Sequence, residues 1–118
     1  MQYTTTDELV TSQINHFLEL YGRNDPKFRK KSIIFNPVEF VPIEKLKVKD
    51  ALAKSITTAD ENKIKDYVQL MLNHHAFAPI IIDAESKIIF DGNHRYRASI
   101  AANFTHIPVI YFTDNSED

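Results

Sequence analysis

Residues 88–112, IIFDGNHRYRASIAANFTHIPVIYF, place a glycine between an apolar run and a segment that carries one histidine and two arginines. Gly92 is one of only two glycines in the chain. Because glycine adopts backbone conformations that a Cβ atom forbids, its position predicts a turn from a strand ending at Phe90 into a helix beginning near Asn93. The first N–H groups of a helix have no intrahelical acceptor, and with the helix dipole they favour a bound anion. The stretch therefore predicts an anion site at a strand-to-helix turn.

The side chains next to this turn suit a phosphate group. Arg95 and Arg97 offer forked N–H donors that match phosphate oxygens. His94 is expected to donate a further hydrogen bond. Asp91, just before the glycine, is a candidate ligand for Mg²⁺ or for a ribose hydroxyl.

A structural interpretation of the same residues is equally simple. The two arginines would then pair with Asp50, Glu44 or Asp83 in an ion-pair cluster that needs no ligand. Residue types and spacing leave both interpretations open.

The remaining sequence predicts a mixture of helices and short strands, hence one α+β domain. Gly22 and Pro26 should end the first helix, and Asp60 should be the N-cap of the second. On the third helix, Tyr96 and Ile100 are predicted to face the core. The predicted helices are residues 6–21, 60–73 and 93–102, and the predicted strands are residues 38–43, 79–83, 87–90 and 107–112. The basic run at residues 27–31 fits a solvated loop better than an anionic partner.

Composition limits the classes of function. The 118 residues are 43% hydrophobic and 25% charged, which is typical of one globular domain. A net charge of −2 at pH 7 gives no overall attraction to nucleic acid or to an anionic membrane, so an anion site must be local. The chain has no cysteine, which excludes thiol chemistry and disulfides. No stretch resembles a signal peptide or a membrane span, and we expect a soluble cytoplasmic protein.

Metal and serine-nucleophile sites have less support. His74 and His75 are adjacent near a predicted helix end, so their side chains should point about 100° apart and not share one ion. Ser99 lies inside the third predicted helix, without the sharp turn that exposes a nucleophilic serine.

The segment Gly92-Asn93-His94-Arg95-Tyr96-Arg97-Ala98, hereafter the box, resembles the Gly-Glu-Arg-Arg-aromatic-Arg-Ala box of ParB amino-terminal domains. It also resembles the Gly-Cys-His-Arg box of sulfiredoxin. The similarity extends upstream to residues 41–46 and to the helix and strand at residues 60–82, and it covers residues 38–112. It implies three parts: residues 1–37 as an N-terminal helix and basic connection, residues 38–112 as a ParB/sulfiredoxin-like domain, and residues 113–118 as an acidic tail.

This resemblance implies roles for individual residues. In the superfamily the box cradles nucleotide phosphates, a role that would fall to Gly92, Asn93, His94, Arg95 and Arg97. The order Asp-Gly-Asn-His-Arg at residues 91–95 is also similar to the Asp-Gly-His-His-Arg of ParB-like free-serine kinases. Those kinases use an acidic base soon after the first strand, where this chain has Asp50 and Glu44.

The sequence also departs from both relatives. Asn93 replaces the catalytic cysteine of sulfiredoxin, so reduction of a sulfinic acid is excluded. Partition ParB proteins continue into a helix-turn-helix domain and a dimerisation domain, so we do not expect a complete partition clamp.

Two classes of function follow. In the first, the domain binds CTP, ATP or ADP and, with Mg²⁺ and the help of Asp91, Asp50 or Glu44, transfers or hydrolyses a phosphoryl group. In the second, it is a non-catalytic, DNA-associated regulator or a protein-interaction module. The sequence leaves the nucleotide base, the DNA or protein partner and the oligomeric state open, and it predicts no membrane partner.

Overall fold

The computed structural model describes residues 1–24, 33–48 and 56–114, and of residues 21–24 it describes the backbone alone. This part of the chain forms three α-helices, one 3-10 helix and five strands, so the predicted α+β class is confirmed. In chain order they are α1 (Asp7–Asn24), β1 (Ile33–Phe35), β2 (Glu39–Pro42), the 3-10 helix (Ile43–Lys45), α2 (Thr58–Leu72), β3 (Ile80–Asp83), β4 (Ile89–Asp91), α3 (Asn93–Ala101) and β5 (His106–Asp114).

The strands form one mixed sheet in the order β1-β5-β3-β4. On one side β5 pairs in parallel with β3, where Ile80 lies opposite Val109. On its other side β5 pairs antiparallel with β2 and then with β1, along successive parts of its length. β3 and β4 are antiparallel neighbours and confirm the predicted hairpin. The last strand along the chain is therefore the central strand of the sheet.

Alternating side chains give the sheet two apolar faces. Ile80 and Ile82 pack in one core cluster, while Ile81 between them packs in the other. α2, α3 and the N-terminal Tyr3 cover the first face, and α1 covers the second through Phe17. Burial of both faces between helices explains why these central strands are continuous apolar runs.

The beginning of α2 corrects the predicted cap. Thr57, not Asp60, is the N-cap: its Oγ1 accepts a hydrogen bond from the backbone N–H of Asp60 at 3.1 Å. In return, Oδ2 of Asp60 accepts from the backbone N–H of Thr57 at 3.0 Å. This reciprocal pair is a capping box, so Asp60 lies inside the first turn.

Other boundaries also differ from the predictions. α1 continues through Gly22 to Asn24, because a glycine near a helix end weakens the helix without ending it. β1 was not predicted, since three residues are too few to show a periodic pattern. β5 extends to Asp114, into the segment predicted as a tail. Tyr96 packs against the first core cluster as predicted, but Ile100 is 46% exposed, because it lies on the outer side of α3.

Candidate functional site

Gly92 connects β4 to α3 as a single residue between Asp91 and Asn93. Its φ of 107° lies in the left-handed region, which confirms the predicted glycine turn. It is the N-cap of α3, and its carbonyl accepts the first intrahelical hydrogen bond from Tyr96 at 2.8 Å. As a glycine it has no side chain to cap the helix, and the first turn of α3 contains no acidic residue. The N–H groups of this turn therefore retain their positive partial charge.

The guanidinium group of Arg95 lies directly against this glycine. A Cβ atom at position 92 would come within 2.9 Å of Nη2 of Arg95 and within 2.5 Å of Cγ2 of Ile80. Nη2 also donates to the carbonyl of Pro79 at 3.3 Å and lies 3.9 Å from Oδ1 of Asp91. The Arg95 side chain is only 14% exposed. The structure thus brings a fixed cation, the glycine and the start of the helix together.

Tyr3 completes the surroundings of Arg95 from the N-terminal segment. The ring is buried, and its hydroxyl donates to the carbonyl of Ala78 at 2.7 Å. Burial raises the pKa of the Tyr3 hydroxyl above its usual value, while the charge and hydrogen bonding of Arg95 act weakly in the opposite direction. Tyr3 therefore stays neutral beside the arginine.

His94 faces α2. Its Nε2 lies 2.7 Å from Oδ1 of Asp60, and its ring packs edge-on against Tyr67 with the centroids 6.5 Å apart. The hydrogen bond from His94, followed by those from Thr57, lowers the pKa of Asp60 from 3.8 to about 2. Asp60 also takes part in capping the start of α2 through its hydrogen bonds with Thr57. Its carboxylate therefore connects His94 of the 92–98 box to the beginning of α2.

Asp91 faces both α1 and the box. Its Oδ2 accepts a hydrogen bond from the side-chain amide of Gln13, and its Oδ1 is the atom nearest to Arg95. The Asp91 side chain remains 36% exposed, so solvent reaches the carboxylate. Of the three carboxylates proposed as pairs for the arginines, Glu44 and Asp83 make no ion pair with Arg95 and Asp50 lies outside the described residues; the described carboxylate beside Arg95 is Asp91.

The two box arginines lie on different sides of α3. Successive residues of a helix are rotated by about 100°, so Arg97 points roughly opposite to Arg95. Asn93, four positions before Arg97, shares its side of the helix. Both Asn93 and Arg97 are half-buried. Arg95 therefore lies beside the start of the helix, while Arg97 lies on another side of α3.

Of the acidic residues predicted to act as a base from upstream of the box, the structure describes Glu44 alone. Glu44 is exposed on the 3-10 helix, whose first N–H, from Ile43, donates to Thr105 beyond the far end of α3. Within the described residues, no hydrogen bond or ion pair joins Glu44 to the box. Asp50, like the basic run at residues 27–31, lies outside the described residues. Asp83 accepts from the backbone of Glu85 in the β3–β4 turn at 2.9 Å.

The described residues contain neither a cluster of metal-binding side chains nor a membrane-spanning helix. In residues 1–24, 33–48 and 56–114, no three histidine or acidic side chains come together in a way that would hold a metal ion. None of the helices found there is both long and apolar enough to cross a membrane.

Sequence reasoning missed three residues around the box: Tyr3, Gln13 and Asp60 as a partner of His94. Gln13 carried a signal, because it interrupts the apolar stripe of α1 between Val10 and Phe17, and a buried amide requires a partner. The partner itself was not readable from the sequence, since Gln13 and Asp91 are 78 residues apart.

Comparisons with known proteins agree with one another on the family and on the fold of this chain. The family model of the ParB N-terminal domain matches residues 28–117. A ParB-like protein of Sulfolobus acidocaldarius is 37% identical over 54 residues, which is 46% of this chain but only 27% of that protein. In fold, the chain resembles a crystal structure of sulfiredoxin from Arabidopsis thaliana (TM-score 0.51, 23% identity, covering 64% of this chain and 84% of that one). It also resembles a pNOB8-like ParB N-domain (TM-score 0.52, 23% identity, covering 71% of this chain and 30% of that one). These likenesses confirm the predicted ParB/sulfiredoxin-like fold.

Proposed function

Because the chain belongs to the ParB N-terminal domain family, we propose that it binds a nucleotide through the box, with the phosphates at the beginning of α3. The proposed phosphate-binding residues are Gly92, Asn93, His94, Arg95 and Arg97. The nucleotide is CTP, ATP or ADP, and Mg²⁺ accompanies it.

One observation carries this proposal: the Arg95 guanidinium lies on Gly92 at a helix N-terminus that no side chain caps. The glycine lets the Arg95 guanidinium lie close to the backbone, and the helix dipole and the arginine add positive charge at the same place. In addition, Nε of Arg95 is buried and has no hydrogen-bond acceptor within the described residues. A buried donor without an acceptor is costly, and an oxyanion at this turn would supply one.

Magnesium fits the site only together with phosphate. Mg²⁺ is usually bound by one or two carboxylates, water and substrate phosphates. Asp91 offers one such carboxylate, partly exposed, next to the box. Asp91 would hold the ion that offsets the charge of the phosphates, and Mg²⁺ would polarise the transferred phosphoryl group.

We propose turnover as the finer part of this function. A water molecule or a small hydroxyl compound would lose its proton to a carboxylate and attack the terminal phosphorus, while the bond to the bridging oxygen would break and the shortened nucleotide would leave with that oxygen. Asp91, Asp50 and Glu44 are the candidate catalytic residues, of which Asp91 alone lies beside the box in the described structure.

Binding is tested with CTP, ATP, ADP and GTP, with Mg²⁺ and with EDTA, by thermal shift and calorimetry. Arg95→Ala removes a charge-assisted hydrogen bond worth about 1.5–3 kcal/mol, so the affinity should fall roughly 10- to 150-fold. Arg95→Lys keeps the charge without the forked donors and should lose less. Lys65→Ala, an exposed residue of α2, makes the same change in net charge and is the matched control.

The results distinguish a role of Arg95 in nucleotide binding from a role in the fold alone. Because Arg95 also contacts Pro79, circular dichroism must first show that each variant is folded. Unchanged affinity in folded Arg95→Ala would mean that the arginine is only structural. If the wild-type protein binds none of the four nucleotides, the proposal fails. The class of DNA-associated regulators and protein-interaction modules would then have to be tested; no contact in the described residues favours it.

A further inference from the structure

Gln13 is a polar residue in a position that the core would be expected to give to an apolar one. It lies on the stripe of α1 that packs on the sheet, between Val10 and Phe17, and is only 8% exposed. A buried amide stabilises the fold only if its groups are hydrogen-bonded. The amide of Gln13 donates to Oδ2 of Asp91, the residue before the box.

This contact engages one of the two oxygens of the Asp91 carboxylate. With Oδ2 held by α1, Oδ1 is turned toward Arg95, at 3.9 Å from its Nη2. Asp91 is the terminal residue of a three-residue strand, and its side chain is partly exposed. One oxygen of this carboxylate thus contacts α1, while the other faces the candidate anion site.

We propose that Gln13 is a positioning residue for the Asp91 carboxylate, and that α1 is therefore part of the anion site. The proposal rests on the function proposed above. The family model begins at residue 28, after the end of α1, so the family match assigns Gln13 no role.

The expected effect is specific to the magnesium-dependent part of binding. Groups that orient a metal ligand contribute to metal affinity without touching the metal, and their loss typically costs about 10- to 100-fold. The backbone N–H groups of α3 do not depend on Gln13. A role in positioning Asp91 therefore weakens Mg²⁺-nucleotide binding and spares metal-free binding, whereas a general role in packing weakens both.

The test uses Gln13→Met in the full chain, because methionine has nearly the same length and no hydrogen-bond donor. Asn15→Met, an exposed amide on the same helix, is the matched control. Affinities for CTP and ATP are measured by calorimetry with Mg²⁺ and with EDTA. In Gln13→Met we expect a loss of about tenfold or more with Mg²⁺. With EDTA the loss should stay below about twofold, because the distant donors are intact. Equal losses in the two conditions, or no loss at all, would overturn the proposal.

A ligand-free measurement keeps the outcome independent of nucleotide binding. The side-chain N–H signals of Arg95 and Gln13 are assigned by NMR in the wild-type protein. Gln13→Met should shift the Arg95 signal more than Asn15→Met does, because the carboxylate facing Arg95 reorients, and Asp91→Leu should shift the amide signals of Gln13. If the wild-type protein binds neither CTP nor ATP, the proposed function fails, and these shifts alone decide the role of Gln13. Spectra in which neither signal moves would overturn that role.

Discussion

Replacing Gly92 by alanine should destabilise the protein strongly, and the structure allows the magnitude to be worked out. A φ of 107° costs an L-residue about 1–2 kcal/mol. The new Cβ would also lie 2.5 Å from Cγ2 of Ile80, the first residue of β3, whose side chain has no exposed surface. Overpacking a core in this way costs about 1–3 kcal/mol. The two effects together predict a loss of about 2–5 kcal/mol in the free energy of unfolding.

Urea unfolding followed by circular dichroism measures this loss. Gly22→Ala is a matched control, because it makes the same chemical change at the other glycine, inside α1, where alanine should change stability by at most about 1 kcal/mol in the favourable direction. Gly92→Asn separates the two causes, since asparagine tolerates a positive φ better but introduces the same Cβ. If Gly92→Ala unfolds with a free energy within about 1 kcal/mol of the wild type, the geometry argued for the turn is wrong.

Three further predictions concern the surroundings of the box. Because the pKa of Asp60 falls from 3.8 to about 2 on folding, its contribution to stability is present above pH 3.8 and is lost as the pH falls toward 2; Asp60→Asn should make urea stability less pH-dependent in this window. Tyr3→Phe should lower the free energy of unfolding by about 1–3 kcal/mol at neutral pH, because the carbonyl of Ala78 loses its buried donor. Burial raises the pKa of the Tyr3 hydroxyl, so the contribution of this hydroxyl to the free energy of unfolding falls as the pH rises above 10. Urea unfolding should therefore show that the stability of Tyr3→Phe declines less than that of the wild type in this range. Asp91→Asn should abolish magnesium-dependent loss of a nucleoside triphosphate while nucleotide affinity in EDTA persists, as measured by phosphate release and calorimetry.

Each of these predictions has a control of the same chemical kind. Glu61→Gln changes the neighbouring carboxylate in the first turn of α2 and should leave the pH dependence of urea stability in the acid range as it is in the wild type. An equal effect of both variants would mean that Asp60 is not the cause. Tyr67→Phe removes a hydroxyl from a half-buried ring. If Tyr3→Phe lowered the free energy of unfolding by less than Tyr67→Phe does, the burial argument would be contradicted. Asp66→Asn, exposed on α2, should retain any turnover, and turnover in Asp91→Asn would exclude that carboxylate.

The sequence predicted well wherever a local rule applies. The glycine between an apolar run and a polar helix gave the turn at Gly92, because few other residues accept its φ. The stripe of α1 and the β3–β4 hairpin followed from periodicity and from turn residues. The cap of α2 was misplaced by three residues because a capping box contains two residues that favour caps, Thr57 and Asp60, and the pattern does not say which comes first.

The parts that failed depend on contacts between residues far apart in the chain. Residues from three parts of the chain contact the box or the residue before it: Gln13 of α1 contacts Asp91, Tyr3 of the N-terminal segment contacts Arg95, and Asp60 of α2 contacts His94. The hydrophobic periodicity of a sequence does not reveal such contacts. The central position of β5 was equally hidden, because Pro108 lacks a backbone N–H and would suggest an edge strand.

The position of β5 also has a consequence for how the protein is made. A ribosome synthesises β1, β2 and β3 before β5, yet all three pair with β5. Until residues 106–114 have left the ribosome, only the β3–β4 hairpin and the helices have local partners, and most apolar strand residues stay unpaired. Contacts of such long sequence separation close slowly. The nascent chain should therefore complete its sheet in one late step, when β5 pairs with β1, β2 and β3.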